Sequence, residues 1–271
     1  MLFRSVPVVL QALDGLSTAC KATEPLLARL HVLADSLLDS NTTVAWQTGA
    51  RALTTLARIA PKDAAPYLEK HELVGDARWP VRMAVATAAG RVKNEAVLVE
   101  LFKDTSANVQ NASLEALRGM GSARTYALAI DALESWDFQL VRTAAMSLKG
   151  APPSDATMMA LARSLRRLTQ HGADTSRDPR LAIIERLSEQ NSADAVPFVR
   201  PLLEDFDIEV ARAAKTFCER VLPNTPFPID PKLRRPVQAS LEQVQMLPKG
   251  ATITMRSGGI IELEFLADTP I

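Results

Sequence analysis

The sequence predicts an all-α fold of stacked helix pairs that ends in a short β-hairpin, and three observations predict it. The 271 residues include 41 alanines and 35 leucines but only 13 aromatic residues and 11 glycines. This composition favours helices packed through small side chains over a β-sandwich. A motif of fixed order recurs through the first 222 residues. Near the C-terminal end, apolar and polar side chains instead alternate, which is the period of a strand.

The charge balance limits the classes of partner. Lys plus Arg and Asp plus Glu each total 31, so the formal net charge is zero. A chain without excess positive charge is a poor candidate for wrapping nucleic acid or binding an anionic membrane. Apolar residues make up 47% of the chain, which excludes wholesale disorder. No apolar run approaches the roughly 20 residues of a membrane-spanning helix. We therefore expect no membrane span and no nucleic-acid partner.

The first twenty residues have two interpretations. An apolar stretch at residues 6–10, followed by small residues that end at Cys20, faintly resembles a bacterial lipoprotein signal. Gln11 and Asp14 interrupt that stretch, which favours an amphipathic first helix instead. Cys218 is the only other cysteine, and no Cys/His cluster has metal-ligand spacing, so both cysteines are predicted to be small core residues. The compartment, cytoplasmic or periplasmic in a bacterium, stays open.

The recurring motif contains an acidic residue, a turn, an aliphatic residue and then small residues at helical spacing. We call the six aliphatic residues the anchors; they are Val44, Val81, Val109, Val141, Leu181 and Val210. Neighbouring anchors lie 28 to 40 residues apart. Because a second apolar segment precedes each anchor, each unit is predicted to be two helices. One pair cannot bury its apolar face alone, so the pairs are expected to stack into a continuous core.

The second helix of each predicted pair carries signals for its packing and its ends. An acidic residue before the anchor can accept hydrogen bonds from the free N–H groups of the first turn. Small residues three and seven positions after the anchor, such as Ala84 and Ala88, let neighbouring helices approach closely. Gly90, Gly119 and Gly150 stand where second helices should end, and we predict that they are C-terminal caps.

The order turn-Val-Arg-x-x-Ala-x-x-x-Leu resembles the HEAT family of armadillo-like repeats and its short bacterial variety. The likeness covers roughly residues 15 to 222 and is best at Val81, Val109, Val141 and Val210. The resemblance implies a right-handed α-α superhelix, or solenoid, of about six helix pairs. It also implies a scaffold for protein–protein interaction rather than an enzyme.

The resemblance further implies ion-pair ladders between neighbouring repeats. In that family, an Asp before the second helix and an Arg after the anchor form these ladders. Asp76 with Arg82, and Asp137 with Arg142, match this pattern. The copies at Val109 and Val210 have Gln110 and Ala211 at the Arg position, and the copy at Leu181 lacks the Arg, so the ladder is expected to be interrupted.

The motif stops after residue 222. Five prolines between residues 223 and 236 exclude a helix and predict a stiff, extended linker over residues 223–250. Residues 251–271 are predicted to contain a β-hairpin that turns at Gly258-Gly259. One face would be apolar, and it is formed by Ile253, Met255, Ile261, Leu263 and Phe265. An isolated two-stranded hairpin is marginally stable, so it needs further strands or a helix beneath it.

The hairpin, followed by Ala267-Asp-Thr-Pro270, resembles the opening of a cyclophilin-type peptidyl-prolyl isomerase over about 20 residues. The resemblance implies that the chain is the N-terminal part of a longer isomerase whose catalytic residues would lie beyond Ile271. No catalytic residue is therefore assigned, and the 271-residue chain is expected to lack isomerase activity.

No other catalytic, cofactor or metal site is predicted. The three histidines, His31, His71 and His171, have no second ligand at helical spacing. Glu262 and Glu264 point the same way from one strand, and their best interpretation is the solvated face of the hairpin. We therefore assign no cofactor and no metal.

The predicted functional surface is the concave face that stacked second helices would form, with a protein or an extended peptide as its partner. Residues two positions after an anchor should lie near that face; the candidates are Trp46, Met83, Asn111, Thr143 and Arg212. Trp79 and Trp136 precede anchors and are expected to pack between neighbouring repeats, with a binding hot spot as the alternative. Two further functions stay open. The solenoid recruits substrates for an isomerase, or it acts on DNA or on a chromophore protein.

Overall fold

The computed structural model describes residues 5–19, 22–39, 41–42, 44–232, 250–255 and 258–264. These residues are mostly helical, with fourteen α-helices and one antiparallel pair of strands. The prediction of a helical chain with a C-terminal hairpin is confirmed at this level. Cys20, which carries the lipoprotein interpretation, lies outside the described residues, as do Phe265 and residues 266–271. No helix in the described part is both long and apolar enough to cross a membrane.

The helices of the first half are α1 (Val6–Ala19), α2 (Glu24–Asp35), α3 (Trp46–Ile59), α4 (Pro61–Leu68), α5 (His71–Val74), α6 (Trp79–Val92) and α7 (Glu95–Leu101). Those of the second half are α8 (Ala107–Gly119), α9 (Thr125–Ala132), α10 (Phe138–Ser147), α11 (Asp155–His171), α12 (Arg177–Gln190), α13 (Val196–Val199) and α14 (Ile208–Val221). Three short 3-10 segments occupy Asp174–Ser176, Ala193–Ala195 and Arg200–Glu204.

Side chains before several helices satisfy the free N–H groups of the first turn. Asp137 accepts a hydrogen bond from the Leu140 N–H, and Asp207 accepts from two N–H groups at the start of α14. Asn94 and Ser154 cap α7 and α11 in the same way. Proline in the first turn of α2, α4 and α6 also fits these starts, because its missing N–H would have no partner there.

Helices pack in pairs, and the pairs contact one another in chain order. The second helices are α3, α6, α8, α10, α12 and α14, and each contacts the next one of the set. Each also contacts an earlier helix, which forms a pair with it. The pairs are α2 with α3, α4 with α6, α7 with α8, α9 with α10, α11 with α12 and α13 with α14. Two clusters of buried apolar residues fill the interior, and they meet in α8, where Leu117 belongs to one cluster and Leu114 to the other.

The anchors show where the helical register was predicted well and where it was not. Val81, Val109 and Val210 are fully buried, and each is the third residue after the N-cap of its helix. Val44, however, lies outside α3, which begins at Trp46, so Thr48 takes the equivalent buried position. In α12 the predicted anchor Leu181 is only half-buried. The connection from the preceding α-helix is ten residues long before α3, against four to eight before the other second helices, and in α12 the predicted anchor is the fifth residue after the N-cap instead of the third.

Gly90 corrects one prediction. It lies inside α6 rather than at its end, and a Cβ placed there would lie 2.7 Å from the Cβ of Ala116 in α8. Its hydrogen side chain therefore permits a close helix contact, while Lys93 takes the left-handed cap position of α6. Gly150, in contrast, follows α10 with φ of +74°, a conformation that favours glycine.

The helical unit extends ten residues past the predicted boundary at residue 222. Residues 223–232 contain no helix or strand, as the prolines predicted, but they lie against the helical unit. Phe227 is 4% exposed, and the Asp230 N–H donates to the Leu203 carbonyl at 3.0 Å. The Lys232 N–H likewise donates to the Glu204 carbonyl at 3.2 Å. Burial of one aromatic ring holds this segment in place; residues 233–249 lie outside the described residues.

The C-terminal strands are β1 (Gly250–Thr254) and β2 (Ile260–Glu264), which pair antiparallel with Ile253 opposite Ile261. Gly258, in the turn, has φ of +85°. Alternation along both strands places Ile253, Ile261 and Leu263 on one face, and all three side chains are exposed.

Candidate protein-binding groove

A groove crosses the second helices α3, α6 and α8. Its first part is a cavity of about 480 Å³ lined by residues of α1, α3 and α6. Its second part, of about 310 Å³, lies between α6 and α8. Thr87 and Arg91 of α6 line both parts, so the two cavities adjoin. We call this surface the α3–α6–α8 groove.

The floor of the first part is apolar and the rim is polar. Trp46 and Met83 are half-buried, pack against the core and line the cavity together with Ala50 and Ala84. Alanine at these positions leaves space between α3 and α6 that a larger side chain would fill. Such a floor offers apolar contact area to a ligand, and the rim can fix its orientation.

Arginines dominate the charge of the first part. Arg51, Arg58 and Arg91 line the cavity together with a single carboxylate, Asp14. Arg51 Nη1 lies 3.2 Å from Asp14 Oδ1, and both side chains are about half exposed. Arg58 and Arg91 occupy equivalent positions, because each is the thirteenth residue after the N-cap of its helix. The two guanidinium groups therefore belong to one row that runs from α3 to α6.

The second part of the groove has a different charge. Thr87 of α6 is the ninth residue after its N-cap, and Glu115 is the ninth residue after the N-cap of α8. Gly119 stands in α8 where α3 and α6 have arginine. The row of positive charge therefore ends at α6, and an acidic side chain marks the α8 end.

The structure brings together two of the five predicted binding residues. Trp46 and Met83 line the same cavity. Asn111 is half-buried, and its Oδ1 is buried without a hydrogen-bond partner in the described part of the chain. Thr143 is 2% exposed, because α8 and α12 pack on both sides of α10, so its side chain offers no surface to a partner. Arg212 is exposed in α14 and forms an ion pair with Glu209 at 2.6 Å.

Sequence reasoning missed Thr87, Arg58 and Arg91. The signal was present, because Thr87 and Arg91 follow Met83 by four and eight residues and therefore lie on the same helix face. Arg58 follows Trp46 by twelve residues, a rotation of about 120° around α3, so it lies on a different face from Trp46. Extending the face of Met83 along α6 would have found Thr87 and Arg91, whereas Arg58 is found only by aligning α3 with α6 from their N-caps.

Arg82 links neighbouring helix pairs. Its Nε and Nη2 donate to the two carboxylate oxygens of Asp104 at 2.5 and 2.8 Å, and its Nη1 donates to the Asp76 carbonyl at 2.5 Å. The hydrogen bond from Arg82 is the largest influence on the carboxyl of Asp104 and holds its pKa below the usual value. The Asp76 carboxylate instead pairs with Arg78. Arg82 therefore bridges the turn of its own pair and the turn of the next.

Arg180 forms a more deeply buried version of the same link. It is the fourth residue after the N-cap of α12, as Arg82 is in α6, although the sequence pattern had assigned no arginine to this repeat. Arg180 Nη1 donates to Asp205 Oδ2 at 2.6 Å, and the two side chains are 0% and 2% exposed. Its guanidinium also lies 4.9 Å from the ring centroid of Phe206.

The ion pair of Arg82 is not repeated at Gln110 or between Asp137 and Arg142 in the described part of the chain. Gln110 takes the position of Arg82 in α8 and donates to the Asp104 carbonyl at 2.7 Å. This helix pair therefore keeps the hydrogen bond to its own turn, as Arg82 does to Asp76, but has no guanidinium for the ion pair to the next turn. Asp137 caps α10 through the Leu140 N–H at 2.8 Å. No ion pair joins Asp137 to Arg142 within the described ranges, because Arg142 is one residue beyond the position that Arg82 occupies.

Trp136 lies in the turn before α10 and is 63% exposed. The guanidinium of Arg167 lies 4.6 Å from its ring centroid, and His171 contacts the ring edge at 5.7 Å between centroids. Burial lowers the pKa of Arg167 from its ordinary value. Both partners come from α11 of the next pair, so Trp136 contacts its neighbour as predicted while most of the ring stays accessible.

A hydrogen-bonded chain of His31, Tyr67 and Asp35 joins α2 to α4. The Tyr67 hydroxyl donates to Asp35 Oδ1 at 2.9 Å, and His31 Nδ1 lies 3.0 Å from that hydroxyl. Burial, followed by the hydrogen bond to Asp35, raises the pKa of Tyr67 well above its usual value. The protonated phenol serves as a structural donor. No group of three metal-ligating side chains occurs among the described residues.

No protein-family model matches the chain, and no curated protein matches it. Two crystal structures of engineered proteins from the Northeast Structural Genomics Consortium are similar to it. One has a TM-score of 0.45 and 20% identity, over 71% of this chain and 96% of that one. The other has a TM-score of 0.47 and 18% identity, over 81% of this chain and 66% of that one.

Proposed function

We propose that the helical unit is a HEAT-like solenoid, a right-handed superhelix of helix pairs, that acts as a non-catalytic scaffold and binds an extended protein segment in the α3–α6–α8 groove. The support for a repeat architecture is the contact of each second helix with the next and the recurrence of the arginine link at Arg82 and Arg180. Repeat units of this kind cannot bury their apolar faces alone, and their stacked surfaces are elongated.

The observation that carries the binding function is the continuity of the groove across three helices. Packed helices lie about 8–10 Å apart, so a groove across three of them spans about 20 Å. An extended peptide rises about 3.3 Å per residue and would place about six residues in that length. The half-buried Trp46 and Met83 supply the kind of contact that dominates protein interfaces.

The test is selection of peptides from a displayed random library, about 12 residues long so that a segment can cross the groove. The matched variants are Thr87→Trp, which would fill the groove at one of the two residues that line both cavities, and Thr87→Ser. Thr87 is exposed, and its hydroxyl donates to the Met83 carbonyl, a bond that Ser can keep. Peptides selected on the wild type should bind Thr87→Ser and fail to bind Thr87→Trp. Equal binding to both variants would refute the groove as the site.

The hairpin supports a second proposal, that it opens a cyclophilin-like domain whose isomerase activity the helical unit serves. The supporting observation is its exposed apolar face of Ile253, Ile261 and Leu263, which an isolated two-stranded sheet cannot bury. We expect the 271-residue chain to show no turnover of a prolyl peptide in a coupled protease assay. Turnover by this chain would contradict the assignment of catalytic residues beyond Ile271.

A further inference from the structure

We propose that the segment bound by the α3–α6–α8 groove is acidic, with carboxylates beside a bulky apolar side chain. This inference rests on the proposed function and specifies the chemistry of its ligand. The apolar side chain would occupy the floor at Trp46 and Met83, and the carboxylates would face the arginine row.

The charge of the first cavity is complementary to that of an acidic segment. Three guanidinium groups, those of Arg51, Arg58 and Arg91, share the first cavity with one carboxylate, although the chain as a whole is neutral. Positive charge therefore lies beside a part of the described surface that is also concave and apolar. Guanidinium groups bind carboxylates through paired, charge-assisted hydrogen bonds.

The spacing of the two equivalent arginines suits an extended peptide. Arg58 and Arg91 occupy equivalent positions on helices that pack in contact, which places their backbones about 8–10 Å apart. Side chains two residues apart lie on the same face of an extended peptide, about 7 Å from each other, and the long arginine side chains can span the remaining difference. A peptide that crosses α3 and α6 can therefore present one carboxylate to each arginine.

The change of charge along the groove favours a peptide over a nucleic acid and gives the peptide a direction. The groove continues over α8, where Glu115 and Gly119 replace the threonine and arginine of α6. A polyanion that followed the whole groove would meet Glu115, whereas a peptide can be acidic over α3 and α6 and neutral or basic over α8. The alternating charge thus favours a peptide and sets the orientation of its acidic end.

The experiment extends the library selection to the arginine row. The full chain is compared with the double variant Arg58→Gln/Arg91→Gln and the charge-preserving double variant Arg58→Lys/Arg91→Lys. Arg124→Gln serves as a matched control, since Arg124 is an exposed arginine at the start of α9, outside the groove. Unfolding midpoints are measured for every variant, so that loss of binding is scored only for folded protein.

The wild type and Arg124→Gln should enrich Asp and Glu next to a large apolar residue. The double Gln variant should lose that enrichment, and the double Lys variant should keep part of it. A selected peptide should bind the wild type about tenfold more tightly than its Glu→Gln counterpart, and this ratio should shrink at high salt because exposed charges are screened.

Three results would overturn the inference. Enriched peptides without acidic bias that still fail to bind Thr87→Trp would refute the acidic ligand and leave the peptide-binding groove intact. No enrichment on the wild type would refute both proposals. Tighter binding of a random-sequence oligonucleotide than of the selected peptides would replace the peptide with a nucleic acid.

Discussion

The Asp205→Asn substitution tests how the last two helix pairs are held together. Asp205 Oδ2 accepts from Arg180, while Oδ1 accepts from the Asp207 N–H at 2.8 Å. Asparagine can keep the second hydrogen bond but removes the charge. Arg180 is then left as a fully buried cation without its counter-ion. Its Nη2 has no hydrogen-bond partner in the described part of the chain, so we expect no other acceptor to replace Asp205 Oδ2.

Breaking a buried ion pair by removing one partner costs about 3–5 kcal/mol. The matched control is Glu209→Gln, which removes the partner of Arg212 in an exposed pair on α14. Such exposed pairs contribute about 0.3–0.5 kcal/mol. A domain is stable by about 5–15 kcal/mol, so Asp205→Asn should remain folded at room temperature with a clearly lower urea midpoint.

The assay is equilibrium unfolding in urea followed by circular dichroism, with the double variant Arg180→Met/Asp205→Asn as the fourth corner of a thermodynamic cycle. The double variant should be more stable than the sum of the single effects predicts, because it removes the unpaired cation. A loss of less than about 1 kcal/mol for Asp205→Asn, equal to that of the exposed control, would refute the reasoning. Strict additivity would refute it as well.

Three further predictions follow from single contacts. Gly90→Ala should lower the free energy of unfolding by about 1–3 kcal/mol, because the added Cβ would meet Ala116. The control Gly119→Ala, where no atom lies near the added Cβ, should be neutral or stabilising. Equal thermal midpoints of the two variants would contradict this prediction. The pKa of Asp104 in the folded protein lies below its unfolded value. Its contribution to the free energy of unfolding is therefore present above about pH 4 and is lost as the pH falls through the folded pKa. The acid side of the stability profile should therefore be flatter in Asp104→Asn, and an unchanged slope would disprove the link to Arg82. Phe227→Ala should destabilise the helical unit by about 3–5 kcal/mol in urea unfolding, because the ring is buried; no change would show that residues 223–232 add nothing to it.

Much of the fold could be predicted because helices and strands have different periods. The apolar spacing around Val81 and Val109 is helical, and the alternation at Ile253 and Ile261 is that of a strand. The first residue of each helix was harder to predict from the sequence. Val44 resembles an anchor in sequence, but α3 begins two residues later, at Trp46, and Ala45 before it has no side chain that could mark the start as a cap.

Long-range contacts account for most of what sequence reasoning missed. Gly90 looked like a helix cap because glycine commonly ends helices, whereas its role is set by Ala116 on another helix. Arg180 was overlooked because the register was counted from the aliphatic residue rather than from the N-cap. Counting from the cap aligns Arg82, Gln110 and Arg180.

The candidate groove was predicted in part for the same reason. Trp46 and Met83 were found as isolated positions, but the cavity depends on the alanines between them and on residues up to three turns further along each helix. Thr143 is buried because α10 packs against both neighbours, α8 and α12, which the sequence of a single helix pair does not reveal.

Binding of one selected peptide to three proteins tests the central claim most directly. The dissociation constant is measured for the wild type, Thr87→Ser and Thr87→Trp by fluorescence polarisation. Binding in the α3–α6–α8 groove predicts a constant for Thr87→Ser within about twofold of the wild type and a loss of at least about tenfold for Thr87→Trp. Wild-type affinity in a folded Thr87→Trp protein would contradict the claim.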